Sequence, residues 1–251
     1  MSGQKIHLSN RMAAVAGLVP GGVSACDIGC DHGFVAIYLV QEHICPRVIA
    51  MDINAGPLSR AKEHIEEAGL SAYIETRLSD GLEKLEEGET ECMIAAGMGG
   101  RLVVKIMEAY PDKLESLHYL VLQPQSELSF VRRYLRERGF VIRRENMVLE
   151  DGKFYPMMLA ERGGAGRKAS FRGKETAYPE SLEDEFGPCL MRDRNPVLLT
   201  WLDWWEEQQN KILKEVLTYP KRRAQVEEEL ARIRSAREMM ANLDSDEGES
   251  V

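Results

Sequence analysis

The stretch Asp27-Ile-Gly-Cys-Asp-His-Gly33 closes the first apolar, strand-like run of the chain and leads into a helical pattern. A glycine-rich turn between a strand and a helix lets a ligand approach the backbone closely. A dinucleotide site would read G-x-G-x-x-G, because a diphosphate rests on the helix N-terminus. Here two carboxylates stand among the glycines and would repel a diphosphate. The pattern favours a cationic ligand such as S-adenosylmethionine; the alternative is a tight turn with an acidic helix cap.

Strand-like and helix-like segments alternate around this turn, which predicts a doubly wound α/β fold. Asp151-Gly152 between two extended runs predicts a terminal antiparallel hairpin. Together they predict a Rossmann-like methyltransferase sheet of seven strands whose last hairpin is antiparallel. The predicted strands are Ser24–Gly29, Arg47–Ile53, Tyr73–Leu78, Cys92–Ala96, His118–Leu122, Phe140–Leu149 and Lys153–Ala160. The predicted helices are Met1–Val19, Phe34–His43, Pro57–Ala68, Arg101–Tyr110 and Glu127–Arg138.

The C-terminal part has a different pattern. Apolar residues follow a heptad spacing from Leu198 to Tyr219, and a second heptad pattern follows Pro220. This predicts a small antiparallel α-helical coiled-coil hairpin, with Trp201, Trp204 and Trp205 as packing residues. We therefore predict a methyltransferase domain at 1–162, a linker and irregular segment at 163–196, a helical hairpin at 197–243 and a disordered acidic tail at 244–251.

Composition limits the classes of function. The 251-residue chain has no apolar run long enough to span a bilayer and no signal-peptide pattern, which predicts a cytoplasmic protein without membrane contact. Five cysteines without zinc spacing predict reduced thiols and no metal. The net charge is −9, yet twelve Lys/Arg against five Asp/Glu lie between Leu128 and Lys174. This basic stretch predicts local polyanion binding; the oligomeric state stays open, with a monomer favoured.

Polar residues stand at the ends of the predicted strands, where doubly wound folds bind ligands. Asp52 could accept the ribose hydroxyls and Asp80 the adenine amine; a solvated acid and an ordinary turn are the alternatives. Gly97–Gly100 would make room for a flat acceptor ring, or form a tight turn. The predicted cofactor-binding residues are Arg11, Asp27, Gly29, Asp31, His32, Gly33, Asp52, Ile53, Asp80, Gly81, Gly97 and Met98.

Acceptor contacts are predicted beyond the fourth strand. The carboxamides in Gln123-Pro124-Gln125 could read a base edge, since each offers a donor and an acceptor; a loop before a helix is the alternative. Basic side chains on the following helix could contact phosphates or lie on a solvated face. The predicted substrate-binding residues are Gly99, Gln123, Pro124, Gln125, Arg132, Arg133, Lys153 and Tyr155.

These motifs together resemble those of the bacterial tRNA (adenine(22)-N(1))-methyltransferases. That family has a class I S-adenosylmethionine-dependent methyltransferase domain followed by a helical coiled-coil domain. The matching stretches run through most of the chain in the family's order: Ser9–Met12, Asp27–Gly33, Asp80–Leu82, Ala96–Gly100, Leu122–Gln125, Asp151–Tyr155 and Phe186–Pro188.

The resemblance implies methyl transfer from S-adenosylmethionine to N1 of adenosine 22, with tRNA as the partner. Because the neutral N1 carries no proton, no general base is needed, and no catalytic residue is nominated; catalysis would rest on orientation. Two alternatives stay open: an S-adenosylmethionine-dependent methyltransferase of another acceptor, and a noncatalytic donor-binding module.

Overall fold

The computed structural model describes residues 5–163 and 181–242. The chain forms two compact units, Met1–Arg172 and Gly173–Val251. Within the described residues, no helix is both long and apolar enough to cross a membrane. Most of the glycine-rich segment Gly163–Gly173, predicted as a linker, and the acidic tail at 244–251, predicted as disordered, lie outside the described residues.

The first unit is built on a seven-stranded sheet with the order β3-β2-β1-β4-β5-β7-β6. The first five strands are parallel, and β7 pairs antiparallel with both β5 and β6. This confirms the predicted fold class. The strands are β1 (Ala25–Ile28), β2 (Val48–Asp52), β3 (Ile74–Leu78), β4 (Cys92–Met98), β5 (Tyr119–Pro124), β6 (Phe140–Glu150) and β7 (Lys153–Arg162).

Helices cover both faces of the sheet, and an apolar core lies under each layer. One layer contains α1 (Asn10–Ala16), α2 (Phe34–Gln41) and α3 (Ala55–Glu67), and the other contains α4 (Gly100–Ala109), α5 (Pro111–Ser116) and α6 (Leu128–Glu137). The central strands β1, β2, β4 and β5 are mostly apolar runs because both of their faces are largely buried, whereas β3 and β6 carry charged residues.

Three helix predictions need correction. The helix predicted over Met1–Val19 is the short α1, which begins where the Ser9 hydroxyl caps the Met12 amide. Helix α3 begins at Ala55 rather than Pro57, so the proline occupies its third position. The short helix α5 was not predicted. The predicted Asp151-Gly152 turn is confirmed, since both residues have the positive φ of a two-residue hairpin turn.

The second unit contains four helices among residues 181–242. The segment predicted to be irregular holds α7 (Leu182–Phe186) and α8 (Pro188–Arg192), and the hairpin is formed by α9 (Pro196–Glu215) and α10 (Pro220–Asn242). Because α9 ends at Glu215, the predicted heptad pattern does not extend to Tyr219, which is exposed. Trp201 and Trp205 stack at 5.0 Å, whereas Trp204 is half exposed and does not fit the packing prediction.

Candidate functional site

The site lies at the carboxyl edge of the sheet. Strands β1, β2, β4 and β5 end there, and β7 begins there because it runs antiparallel to β5. The edge therefore gathers sequence-predicted residues that are far apart in the chain. They lie in the last residues of a parallel strand, just after it, or at the start of β7: Asp27 and Gly29 at the end of β1, Asp52 and Ile53 at the end of β2, Asp80 and Gly81 after β3, Gly97 to Gly99 at the end of β4, Gln123 to Gln125 at the end of β5, and Lys153 and Tyr155 at the start of β7.

Asp27 is the most unusual group of this edge. Its side chain is 5% exposed, and none of the described residues donates a hydrogen bond to its carboxylate. Burial, together with the nearby charge of Asp52, raises the pKa of Asp27 to about 7. A buried carboxylate without a partner is unfavourable in the isolated protein. It is suited to a ligand that brings its own positive charge.

The ends of β2 and β3 differ in exposure. Asp52 is buried and accepts a hydrogen bond from the Asn54 amide at 2.8 Å, while the neighbouring Ile53 is 59% exposed and can contact a ligand ring. Asp80 is exposed. Gly81 has a positive φ, and a Cβ there would lie 2.7 Å from a methyl carbon of Ile106. Close packing against α4 thus explains why a glycine stands at position 81.

The turn after β1 is held by charge and by close packing. Asp31, with a positive φ, faces Arg60 at 3.6 Å, which partly balances its charge, and lies 3.8 Å from the His32 ring. Gly33 is buried, and a Cβ there would lie 3.1 Å from the Cβ of Ala61. Gly33 therefore allows α3 to pack on the turn; this packing accounts for a glycine that we predicted as a cofactor contact.

The loops after β4 and β5 are joined by hydrogen bonds. The Gln125 amide donates to the Met98 carbonyl at 2.8 Å, and the Gly100 amide donates to the Ser126 hydroxyl at 3.3 Å. A Cβ on Gly29 would collide with the Met98 methyl group. Gly29 and Met98 thus meet between β1 and β4, where the strand order of the sheet reverses.

The Gln123 side chain makes its hydrogen bonds inside the protein rather than toward a ligand. It is fully buried, and its carbonyl oxygen accepts from the Gly97 amide and from the Arg11 guanidinium, both at 3.1 Å. The prediction that Gln123 reads a base edge is therefore wrong, because its acceptor is used within the protein. Pro124 is buried beside it, and Gln125 is the exposed carboxamide of this segment.

Arg11 is held on three sides. In addition to Gln123, it lies 5.0 Å above the Tyr155 ring, and Glu150 accepts from its backbone amide at 3.2 Å and faces its guanidinium at 3.9 Å. Glu150 was not predicted. No local pattern could have indicated it, because 139 residues separate it from Arg11.

Arg132 also requires correction. We predicted a phosphate contact, but its side chain is 2% exposed and pairs at 2.9 Å with Glu145, which is fully buried. Arg132 thus joins α6 to β6 inside the protein. The adjacent Arg133 on α6 is half-buried, and Lys153 is exposed at the β6–β7 turn. Both are therefore partly or fully accessible to solvent.

The remaining reactive groups give no second site. The described residues contain no group of three or more His, Cys, Asp or Glu side chains that could hold a metal ion. All five cysteines are buried free thiols. Burial raises the pKa of Cys30 above its ordinary value, and the nearby Asp27 adds to the effect. This thiol therefore stays neutral beside the site.

Comparisons with known proteins agree with this geometry. Residues 8–158 match the family described as "Methyltransferase domain". The curated tRNA (adenine(22)-N(1))-methyltransferase of Bacillus subtilis is 35% identical over 206 residues, which are 82% of this chain and 83% of that protein.

Solved structures show the same fold. The crystal structure of the B. subtilis M1A22 tRNA methyltransferase TrmK superposes with a TM-score of 0.79 at 29% identity, over 92% of this chain and 99% of that one. Streptococcus pneumoniae Sp1610 in complex with S-adenosyl-L-methionine superposes with a TM-score of 0.77 at 30% identity, also over 92% and 99% of the two chains.

Proposed function

Because the chain belongs to the bacterial tRNA (adenine(22)-N(1))-methyltransferase family, we propose that it transfers a methyl group from S-adenosylmethionine to N1 of adenosine 22 in tRNA. The observation that carries the proposal is the carboxyl edge of β1 and β2, where Asp27 and Asp52 are both buried. Two buried carboxylates fit a cationic methyl donor and disfavour a dinucleotide.

The residues of the edge fit the parts of the donor. When bound, S-adenosylmethionine supplies a methyl group activated by the positive sulfonium. Asp27 and the turn to Gly33 hold its cationic methionine end, Asp52 accepts from the ribose hydroxyls, and Asp80 accepts from the adenine amine. Ile53, exposed beside Asp52, covers the adenine ring. These roles follow from placement and charge.

The acceptor corner is formed by the loops after β4 and β5. The target adenosine must leave its stack to enter this corner. Gln125 offers an exposed donor and acceptor to its edge. Gln123 and Arg11 act as positioning residues, since they hold Gly97 and the start of the β4 loop in place. No residue takes a proton to create the nucleophile, because neutral N1 has a free lone pair; the rate depends on orientation.

Binding of the folded tRNA requires a wider surface. Arg133 and Lys153 are the proposed phosphate contacts near the corner, and the helical hairpin α9–α10 supplies a second surface in the other unit. Phosphate contacts of this kind make affinity fall with salt. A tRNA substrate supports a cytoplasmic location, and we propose that the protein acts there as a monomer.

The test is methyl transfer from radiolabelled S-adenosylmethionine to bacterial tRNA transcripts, with mass spectrometry of the product nucleosides. We expect 1-methyladenosine at position 22, and its loss in Asp80→Ala, which removes the carboxylate that accepts from the adenine amine. Asp112→Ala, which changes an exposed aspartate on α5, serves as the matched control. Donor binding without a methylated nucleoside would refute the tRNA assignment and indicate another acceptor. Absence of donor binding would favour a noncatalytic module.

A further inference from the structure

Three aromatic rings form a cluster beside the turn Asp27–Gly33, which we call the donor turn because the proposed methyl donor binds there. The rings of His32, Phe34 and His64 have centroids 4.8 to 5.6 Å apart, and their planes differ by 11° to 29°. His32 and Phe34 come from the turn and the first residue of α2, and His64 comes from α3. We call these three residues the aromatic platform.

The platform is fixed to the donor turn. The Nδ1 atom of His64 lies 3.0 Å from the carbonyl oxygen of His32. Because a carbonyl oxygen only accepts, this Nδ1 carries the proton and donates it. The close approach of Gly33 to Ala61 holds the same two segments together. The rings are therefore placed by the backbone as well as by their own stacking.

Two rings of the platform are partly exposed to solvent, although aromatic rings are usually buried. Phe34 is 37% exposed and the His32 side chain is 39% exposed, whereas Ala36 and Ile37 on the same helix are fully buried. Stacked rings of this kind contribute little to the core while they face water. Their exposure next to the donor turn suits contact with a ligand.

The charges around the platform select the kind of ligand. Asp31 lies 3.8 Å from His32, although Arg60 at 3.6 Å partly balances its charge, and the buried Asp27 belongs to the same turn. These carboxylates disfavour a phosphate at this position. The exposed ring surface of Phe34 and His32 suits contact with an uncharged base, and base–aromatic stacking tolerates any base.

We propose that the aromatic platform stacks an unpaired base of the tRNA next to the target adenosine. This inference rests on the proposed function. Extruding the target from its stack leaves a neighbouring base without a partner, and a protein ring can replace the lost stacking. The platform would hold the RNA beside the donor while the acceptor ring occupies the corner after β4.

The test measures tRNA affinity by fluorescence anisotropy and donor affinity by calorimetry. Phe34→Leu keeps apolar volume but removes the aromatic face, and we expect tRNA Kd to rise roughly tenfold with donor Kd changed by less than about twofold. His64→Gln, whose amide can still donate to the His32 carbonyl, should weaken tRNA in the same direction. Phe34→Trp should restore affinity. Tyr73→Leu, an exposed ring before β3 at the opposite edge of the sheet, should change nothing.

Three outcomes would overturn the inference. One is unchanged tRNA affinity in both Phe34→Leu and His64→Gln, with folding confirmed by circular dichroism. Another is an equal loss of donor and tRNA affinity, which would indicate that the rings contact the donor rather than a tRNA base. The third is a smaller salt dependence of tRNA affinity in the platform variants than in the unaltered protein, which would indicate that the substitutions remove a phosphate contact. If the unaltered protein binds donor but methylates no tRNA, the proposed function fails instead.

Discussion

Replacing Asp27 by Asn should raise the stability of the donor-free protein at alkaline pH. Burial and the charge of Asp52 raise the pKa of Asp27 from 3.8 to about 7. A difference of about 3 in pKa corresponds to about 4 kcal/mol between the two protonation states. Because the pKa in the folded protein is the higher one, the contribution of Asp27 to the free energy of unfolding is complete below about pH 4. It is lost as the pH rises to about 7.

Asn cannot ionise, so Asp27→Asn escapes this loss. We expect the variant and the parent protein to be similar in stability near pH 4 and the variant to be more stable by up to about 4 kcal/mol at pH 8. The assay is urea denaturation followed by far-ultraviolet circular dichroism across this pH range, with Asp112→Asn as the control. A stability difference that does not change between pH 4 and pH 8 would refute the reasoning.

Donor affinity should also depend on pH through the ionisation of Asp27, but it should rise as the pH rises. A cationic donor lowers the pKa of Asp27, so binding releases a proton and donor affinity falls up to about tenfold per pH unit below pH 7. Calorimetry in buffers of different ionisation enthalpy measures the released proton directly. Asp27→Asn should bind the donor weakly at every pH without proton release. Proton release that persists in the variant would show that another group titrates.

Three further predictions concern packing and the RNA. Arg132→Met should cost about 3–5 kcal/mol of unfolding free energy because it removes one side of the buried ion pair with Glu145, as measured by urea denaturation. A normal stability with a higher KM for tRNA would restore the phosphate role. Gly33→Ala should cost about 1–3 kcal/mol because of its φ of +71° and the contact with Ala61, and an unchanged melting temperature would contradict this. Raising salt from about 50 to 200 mM should weaken tRNA binding roughly tenfold if Arg133 and Lys153 each contact one phosphate, and a flat salt response in anisotropy would exclude these contacts.

Several features of the fold could be predicted because their causes are local. Apolar runs buried on both faces mark the central parallel strands β1, β2, β4 and β5, and the positive φ that Asp151 and Gly152 tolerate marks the final hairpin. Helix ends were less certain. The prediction missed α5 and extended the heptad pattern to Tyr219, because the end of a helix depends on capping and on contacts made by other segments.

The site was predicted in part for the same reason. Residues that follow parallel strands must meet at one edge, so their positions along the chain were sufficient to bring Asp27, Asp52 and Gly97 together. Their individual roles depend on neighbours. The sequence could not distinguish Gln125, which is exposed, from Gln123, whose carboxamide is turned inward to Arg11.

The sequence by itself determined the alternation of strands and helices, the acidic glycine-rich turn and the order of the strand-end residues, because these depend on residues close together in the chain. Only the tertiary structure decided that Arg132 is buried against Glu145, that Glu150 holds Arg11, and that His64 reaches the donor turn. Each of these contacts joins segments that meet only when the helices pack on the sheet. Burial and pairing, which set the charge state and availability of a side chain, are properties of that packing.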